Sequence, residues 1–184
     1  MRLGVFGGSF DPPHVGHLAV AQDAAEALAL DLLLLVPARV SPHKVHDPGT
    51  AGDVRAEMLE LGLSEHPLLK VWRGELERAA PSFTVDTLRE LRREYPAAEL
   101  FLLLGQDQWE AFPRWRDPEA ILAVASVCVL DRDATGDAGR PEGWPHLRVP
   151  TRRVDVSSTE IRERVAAGRS IRYLVPETVR EAIT

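Results

Sequence analysis

Leu3-Gly4-Val5-Phe6-Gly7-Gly8-Ser9-Phe10-Asp11-Pro12-Pro13-His14-Val15-Gly16-His17 joins a short apolar run to a glycine- and proline-rich turn bearing two histidines, after which helical periodicity begins. A strand that enters a helix across such a turn predicts an open α/β sheet. In that architecture ligands lie beyond the carboxyl ends of parallel strands, where helix N-termini offer free N–H groups to phosphate. There Gly7 and Gly8 let the backbone approach a ligand closely, and Gly16 leaves room beside the first helical turn. His14 and His17 stand three residues apart, so both imidazoles can face one phosphate chain.

The rest of the chain repeats the pattern. Apolar runs at residues 32–36, 68–72, 99–104 and 126–130 alternate with helical stretches at 18–30, 54–63, 85–95 and 118–125. Runs apolar on both faces and separated by helices predict a Rossmann-like three-layer α/β domain with a mainly parallel sheet, its crossovers right-handed. Residues 132–150, rich in Gly, Pro and Asp, read as an irregular surface connection. Two C-terminal helices follow. Ser157-Ser158-Thr159-Glu160 supplies capping residues ahead of 161–167, Gly168 is the stop, and Pro176 opens the last helix. Residues 37–53 carry three prolines, two glycines and two histidines and predict a long loop of the kind that serves as a lid. The whole of residues 1–184 is expected to form a single domain.

Composition narrows the functional classes. A net charge of −6 argues against a general nucleic-acid binder, so any phosphate site must be local. A single cysteine, Cys128, excludes an intrachain disulfide and points to a reducing compartment. The N-terminal run reaches Gly7-Gly8 too soon to form the apolar region of a signal peptide, and no stretch is long enough to span a bilayer. The expectation is a cytoplasmic protein without a membrane partner.

Two histidines spaced HxxH also suit a metal, but zinc wants third and fourth ligands, and the only cysteine sits in an apolar run. Neither GxGxxG nor GxxxxGK[ST] is present. Gly8-x-Phe10-Asp11-Pro12-x-His14-x-Gly16-His17 resembles the GxFDPxHxGH signature of the bacterial nicotinate mononucleotide adenylyltransferases, within the HxGH nucleotidyltransferase superfamily. The likeness runs almost the full length. Pro42-His43-Lys44 is similar to the family's PHK loop and Ser82-Phe83-Thr84-Val85-Asp86-Thr87-Leu88 to its SYTxDTL segment. Gly105-Gln106-Asp107 with Trp115 is similar to its G[ST]D...W segment, and Val156-Ser157-Ser158-Thr159-Glu160-Ile161-Arg162 to its ISSTxIR signature. Gln106 and Phe83 depart from the family's small hydroxyl residue and tyrosine.

The resemblance implies adenylyl transfer from ATP to nicotinate mononucleotide with Mg²⁺ carried mainly by substrate phosphates and not by a protein cage. It implies that His14, His17, Lys44 and Arg162 serve the reacting phosphates. ATP contacts are implied at Gly7, Gly8, Ser9, Phe10, Gly16, Gly105, Asp107, Ser157, Ser158 and Thr159. Asp11, Phe83, Thr84, Trp115 and Arg116 are implied for the pyridine nucleotide. Ordinary readings stand beside these: Ser157, Ser158, Thr159 and Thr84 as helix caps, Asp107 as a cap or a ribose ligand, Trp115 as packing. His66 and His146 receive no role. A preference for nicotinamide mononucleotide and a non-catalytic nucleotide sensor on the same fold are the alternatives. Phosphopantetheine adenylyltransferases commonly carry Thr in place of His14, and glycerol-phosphate cytidylyltransferases a different second signature. Whether the chain works alone or as a homo-oligomer stays open.

Overall fold

The computed structural model describes residues 1–40, 49–64, 66–131 and 143–184. In chain order the elements are β1 (Arg2–Gly8), α1 (Val15–Ala27), β2 (Leu32–Pro37), α2 (Gly52–Leu63), β3 (Leu69–Val71), α3 (Gly74–Glu77), α4 (Thr84–Glu94) and β4 (Glu99–Gly105). There follow α5 (Gln106–Ala111), a 3₁₀ turn (Phe112–Arg114), α6 (Pro118–Val124), β5 (Ser126–Asp131), β6 (Leu147–Pro150), α7 (Ser158–Ala166) and α8 (Glu177–Ile183).

The strands form one six-stranded sheet in the order β3-β2-β1-β4-β5-β6. Every neighbouring pair is parallel. The sheet is covered on both faces, which is why its central strands are apolar throughout. Leu3, Val5, Leu34, Val36, Leu100, Leu102, Leu104, Val127 and Val129 face a core shared with α4 and α6. Leu33, Leu35, Phe101, Leu103, Cys128 and Leu130 face the opposite core, shared with α1 and α2. The alternation is the two-residue period of a strand. Burial pushes the Cys128 thiol up to about 12, so it stays protonated and inert.

Gly4 marks the closest approach in the second core. A Cβ there would stand 2.5 Å from Leu30 Cδ1 and 2.6 Å from Leu33 Cδ1. A third, smaller core of Met58, Ile161, Ile171, Val175 and Val179 fastens α7 and α8 to α2. The C-terminal helices are therefore built onto the sheet domain by apolar contact.

The expected irregular connection at 132–150 is corrected in part. Leu147–Pro150 forms β6, pairing with β5 from Cys128↔Leu147 to Asp131↔Pro150. Its burial pattern has only Val149 inside, the signature of a short edge strand where Pro is tolerated. Residues 132–142 lie outside the described residues. The caps are also corrected. Ser157 alone caps α7, accepting the Glu160 N–H at 3.1 Å, while Ser158 and Thr159 are already helical. Phe83 and Gly105, not Thr84 and Asp107, occupy the N-cap positions of α4 and α5. Gly168 is the expected stop, with φ +64.

Candidate active site

The order 3-2-1-4-5-6 puts a topological switch between β1 and β4, where open α/β sheets receive ligands. The ladder between these strands ends at Phe6↔Leu103. Beyond it β1 continues along β2 to Gly8↔Pro37, and β4 continues along β5 to Gly105↔Leu130. The two strand ends part, and a crevice opens between Gly7-Gly8 and Leu104-Gly105. A Cβ on Gly7 or Gly105 would meet nothing within 4 Å. Both glycines thus border open space, as expected of a wall that a ligand approaches. Gly8 is different, because a Cβ there would come within 2.9 Å of the Phe10 ring. Its smallness serves the fold of its own turn.

That turn is tied at several points. Phe10 takes the left-handed conformation, φ +49, which costs a non-glycine residue about 1 kcal/mol or more. The residue as a whole is 1% exposed, with its ring edge-on to Phe6 and His17 at 5.9 and 5.0 Å. The ring is thus committed to packing. The Asp11 carbonyl accepts Arg162 Nη1–H at 2.8 Å and the Pro12 carbonyl accepts Ser158 Oγ–H at 2.9 Å. These bonds seat the start of α7 on the turn, and Arg162 Nη2 also lies 3.4 Å from Thr159 Oγ1. The Asp11 carboxylate, itself buried, accepts the Thr50 N–H at 3.2 Å.

His14 is the N-cap of α1 and His17 its third residue. The rings stack with centroids 3.7 Å apart. His17 Nδ1 accepts the His14 N–H at 3.3 Å. A neutral imidazole that accepts at Nδ1 carries its proton on Nε2, so His17 presents a donor on its other edge. A Cβ on Gly16 would stand 3.1 Å from His14 Nδ1 and Cε1, so the glycine fixes where His14 sits. The Val15 N–H is taken by the Leu174 carbonyl at 3.0 Å, which brings the C-terminal segment to the same helix start.

A second group forms after β4. Arg116 lies over the Phe83 ring, 4.6 Å from its centroid, and 3.9 Å from the Asp86 carboxylate. Thr84 begins the helix beside Phe83, and Trp115 packs against Phe112 at 5.7 Å. Arg116 thus ties the start of α4, which carries Phe83 and Thr84, to the segment that carries Trp115. The Trp115 indole nitrogen is buried and has no hydrogen-bond partner among the described residues. Asp107 is exposed in the first turn of α5. Lys44 lies outside the described residues.

Sequence reasoning missed three features. Arg55 is 3% exposed and bonded wholly to backbone carbonyls. The signal was its place on the core face of α2, beside Ala56, Met58 and Leu59. Glu75, also buried, accepts Thr87 Oγ1–H at 2.5 Å and a bond from Ser82. Burial raises its carboxyl above the ordinary value, against the lowering effect of those bonds and of Arg78. This network braces the segment carrying Phe83 and Thr84, and Ser82 Oγ accepts the Arg39 N–H at 3.1 Å. His146, given no role, packs on Trp109 at 4.6 Å, and Trp144 meets Phe112 edge-on at 5.5 Å.

A parallel sheet with a glycine-lined crevice at its switch point and a histidine turn beside it defines a nucleotidyltransferase-type α/β domain, and residues 5–164 match the cytidylyltransferase-like family. A protein of Gemmatimonas aurantiaca named "Probable nicotinate-nucleotide adenylyltransferase" is 47% identical over 187 residues, covering 97% of this chain and 88% of that protein. One from Thermus thermophilus is 45% identical over 179 residues, covering 97% and 94%. The solved nicotinic acid mononucleotide adenylyltransferase of Plasmodium falciparum, complexed with NaAD, shares the fold at a TM-score of 0.78 and 17% identity, covering 99% of this chain and 94% of its own. The chain belongs to the cytidylyltransferase-like family and, within it, to the nicotinate-nucleotide adenylyltransferases.

Proposed function

We propose that the chain transfers the adenylyl group of ATP to nicotinate mononucleotide, releasing pyrophosphate and forming the deamido dinucleotide of NAD synthesis in the cytoplasm. The observation that carries this reading is the junction of the His14/His17 turn with the Ser158/Arg162 helix start beside the parted ends of β1 and β4. Among the described residues no helix is long and apolar enough to cross a membrane.

In this reading the acceptor's phosphate oxygen attacks the α-phosphorus of ATP, and the bond to the bridging oxygen of pyrophosphate breaks. No protein nucleophile is needed. The chain aligns the two phosphates and stabilises the charge that builds as they meet. His17 donates from Nε2, stacked on His14, which supplies the second imidazole. Arg162 adds a cation at the start of α7, where helix N–H groups favour phosphate. Lys44 is assigned to the same phosphates on the sequence alone. Gly7 and Gly105 let the nucleotide lie against backbone, with Asp107 at its ribose.

Mg²⁺ fits as an ion carried by the triphosphate. Mg²⁺ on phosphates commonly keeps water in place of protein ligands. When bound, it neutralises phosphate oxygens and steadies the leaving pyrophosphate.

Acceptor choice falls to the group around Phe83, Thr84, Trp115 and Arg116. A ring stacked on Trp115 does not distinguish acid from amide. The Thr84 hydroxyl and nearby backbone N–H groups do, because a carboxylate accepts at both oxygens while a carboxamide meets a donor with a donor. A mismatch of this kind costs about 1–3 kcal/mol, and more where charge-assisted bonds are lost. Pyrophosphate release is to be measured with ATP and each mononucleotide. A higher kcat/KM for nicotinate mononucleotide is expected. Equal values would refute the pocket while leaving adenylyl transfer standing, and no release with either acceptor would refute the function.

A further inference from the structure

Arg55 sits in the first turn of α2 with its guanidinium buried, and its donors are bound to four carbonyls. Nε–H donates to Thr50 at 2.8 Å, Nη1–H to Ser9, and Nη2–H to Ala38 at 2.6 Å and Arg39 at 3.3 Å. These carbonyls belong to three separate stretches: the turn after β1, the exit of β2 and the entry to α2. The nearby Asp11 carboxylate attracts the cation but is itself bonded to the Thr50 N–H. Burying a guanidinium is costly, and here its hydrogen bonds all go to backbone carbonyls. What it achieves is geometric.

The Ser9–Phe10 peptide is trans. In a planar trans peptide the carbonyl and the next N–H point in opposite directions. Fixing the Ser9 oxygen on Arg55 therefore also fixes the Phe10 N–H, facing away from Arg55. The guanidinium reaches the turn from the side of β2, whose exit it binds, whereas the crevice opens on the side of β4. With the Asp11 and Pro12 carbonyls held by Arg162 and Ser158, each of the turn's carbonyls at 9, 11 and 12 is committed to a donor.

We propose that Arg55 is a positioning residue for adenylyl transfer: it holds the Ser9 carbonyl on the β2 side, so that the strained turn at Phe10 presents N–H and not carbonyl oxygen to the nucleotide's phosphates. The inference rests on the function proposed above. Arg55 touches no reacting atom and acts through the backbone of the turn. A released Ser9 carbonyl would be free to swing its negative end toward the phosphates, and a misplacement of about 1 Å at such a site can cost about a hundredfold in rate.

The experiment compares Arg55→Met, Arg55→Lys and Arg55→Ala with the wild-type chain in steady-state pyrophosphate release, thermal unfolding and circular dichroism. Arg55→Met, similar in length and uncharged, is expected to stay folded and to lose about a hundredfold in kcat while KM for ATP moves by less than about threefold, as when an interaction made chiefly in the transition state is lost. Arg55→Ala leaves a cavity shaped for guanidinium. Added guanidinium at sub-denaturing concentration should raise its kcat about tenfold or more, one-tenth of the lost factor, while equal sodium chloride or methylammonium should not. If the Met and Ala variants do not fold, Arg55→Lys, which keeps the cation but not the fork, decides by its kcat.

Wild-type kcat in a folded Met or Lys variant overturns the inference. So does a folded Ala variant that guanidinium does not rescue. A wild-type chain inactive with ATP and nicotinate mononucleotide would overturn the adenylyl-transfer reading and this inference together, whereas an active wild type beside unaffected variants overturns this inference alone.

Discussion

His17→Ala separates the structural duty seen in the fold from the catalytic duty proposed for the same imidazole. In the resting fold the ring accepts the His14 N–H at 3.3 Å and stacks on His14 at 3.7 Å. Losing an N-terminal helix bond of this kind costs about 1 kcal/mol. For a chain of this size that lowers Tm by about 2–4 °C. A domain stable by about 5–15 kcal/mol keeps essentially all molecules folded after such a loss. The proposed catalytic duty is larger, since removing one preorganised donor to developing charge costs about 3–4 kcal/mol, or 10² to 10³ in kcat. The two effects differ enough to be read apart. The assay is kcat for pyrophosphate release at saturating substrates, with calorimetric binding of an ATP analogue and a thermal melt on the same preparation. The expected result is a kcat lower by about two to three orders of magnitude, with analogue binding within about threefold of wild type. A folded variant with near-normal kcat would falsify the donor assignment. A loss of rate matched by an equal loss of analogue affinity would show that His17 binds ATP in the ground state instead.

Gly16→Ala tests the placement of His14: the new Cβ at 3.1 Å forces that ring to shift by a few tenths of an ångström. The kcat should fall about tenfold with little change in Tm, and unchanged turnover would show that the ring's position is not critical. Gly4→Ala overpacks the core against Leu30 and Leu33. Urea unfolding should show a loss of about 1–3 kcal/mol with kcat intact, and an unshifted midpoint would mean that both leucines yield freely. Glu75→Gln addresses pH. Because burial raises the Glu75 carboxyl above its unfolded value of 4.5, the folded chain holds the extra proton between the two values, and stability drains away as pH climbs through that window. Urea midpoints from pH 4 to pH 8 should show this downward contribution in the wild type and its absence in Glu75→Gln; identical pH slopes would contradict it.

Much of the molecule was legible in the sequence because its signals are local. Strands buried on both faces must be apolar at consecutive positions, so β1, β2, β4 and β5 stood out from the helices between them. The turn from Gly7 to His17 announced itself through residues whose backbone and side-chain chemistry is particular. Gly16 beside His14 is an example, since a glycine in a first helical turn has a steric reason wherever the chain goes next. β6 was harder. Its four residues have one buried side chain and end in proline, so only pairing with β5 makes them a strand.

The sequence by itself determined the α/β alternation, the glycine–histidine turn and the family likeness, since each is written in neighbouring residues. Tertiary structure alone decided how these parts meet. The crevice exists because the β1–β4 ladder stops at Phe6↔Leu103 while both strands run on with their other neighbours, and pairing length is not encoded in either strand alone. Ser158 reaches Pro12 across 146 residues and Arg162 reaches Asp11 across 151. Arg55 turns from an unremarked helix arginine into a brace of the glycine–histidine turn only when the exits of β1 and β2 close around it. Such contacts depend on burial and on the direction of carbonyls, which the packed chain sets.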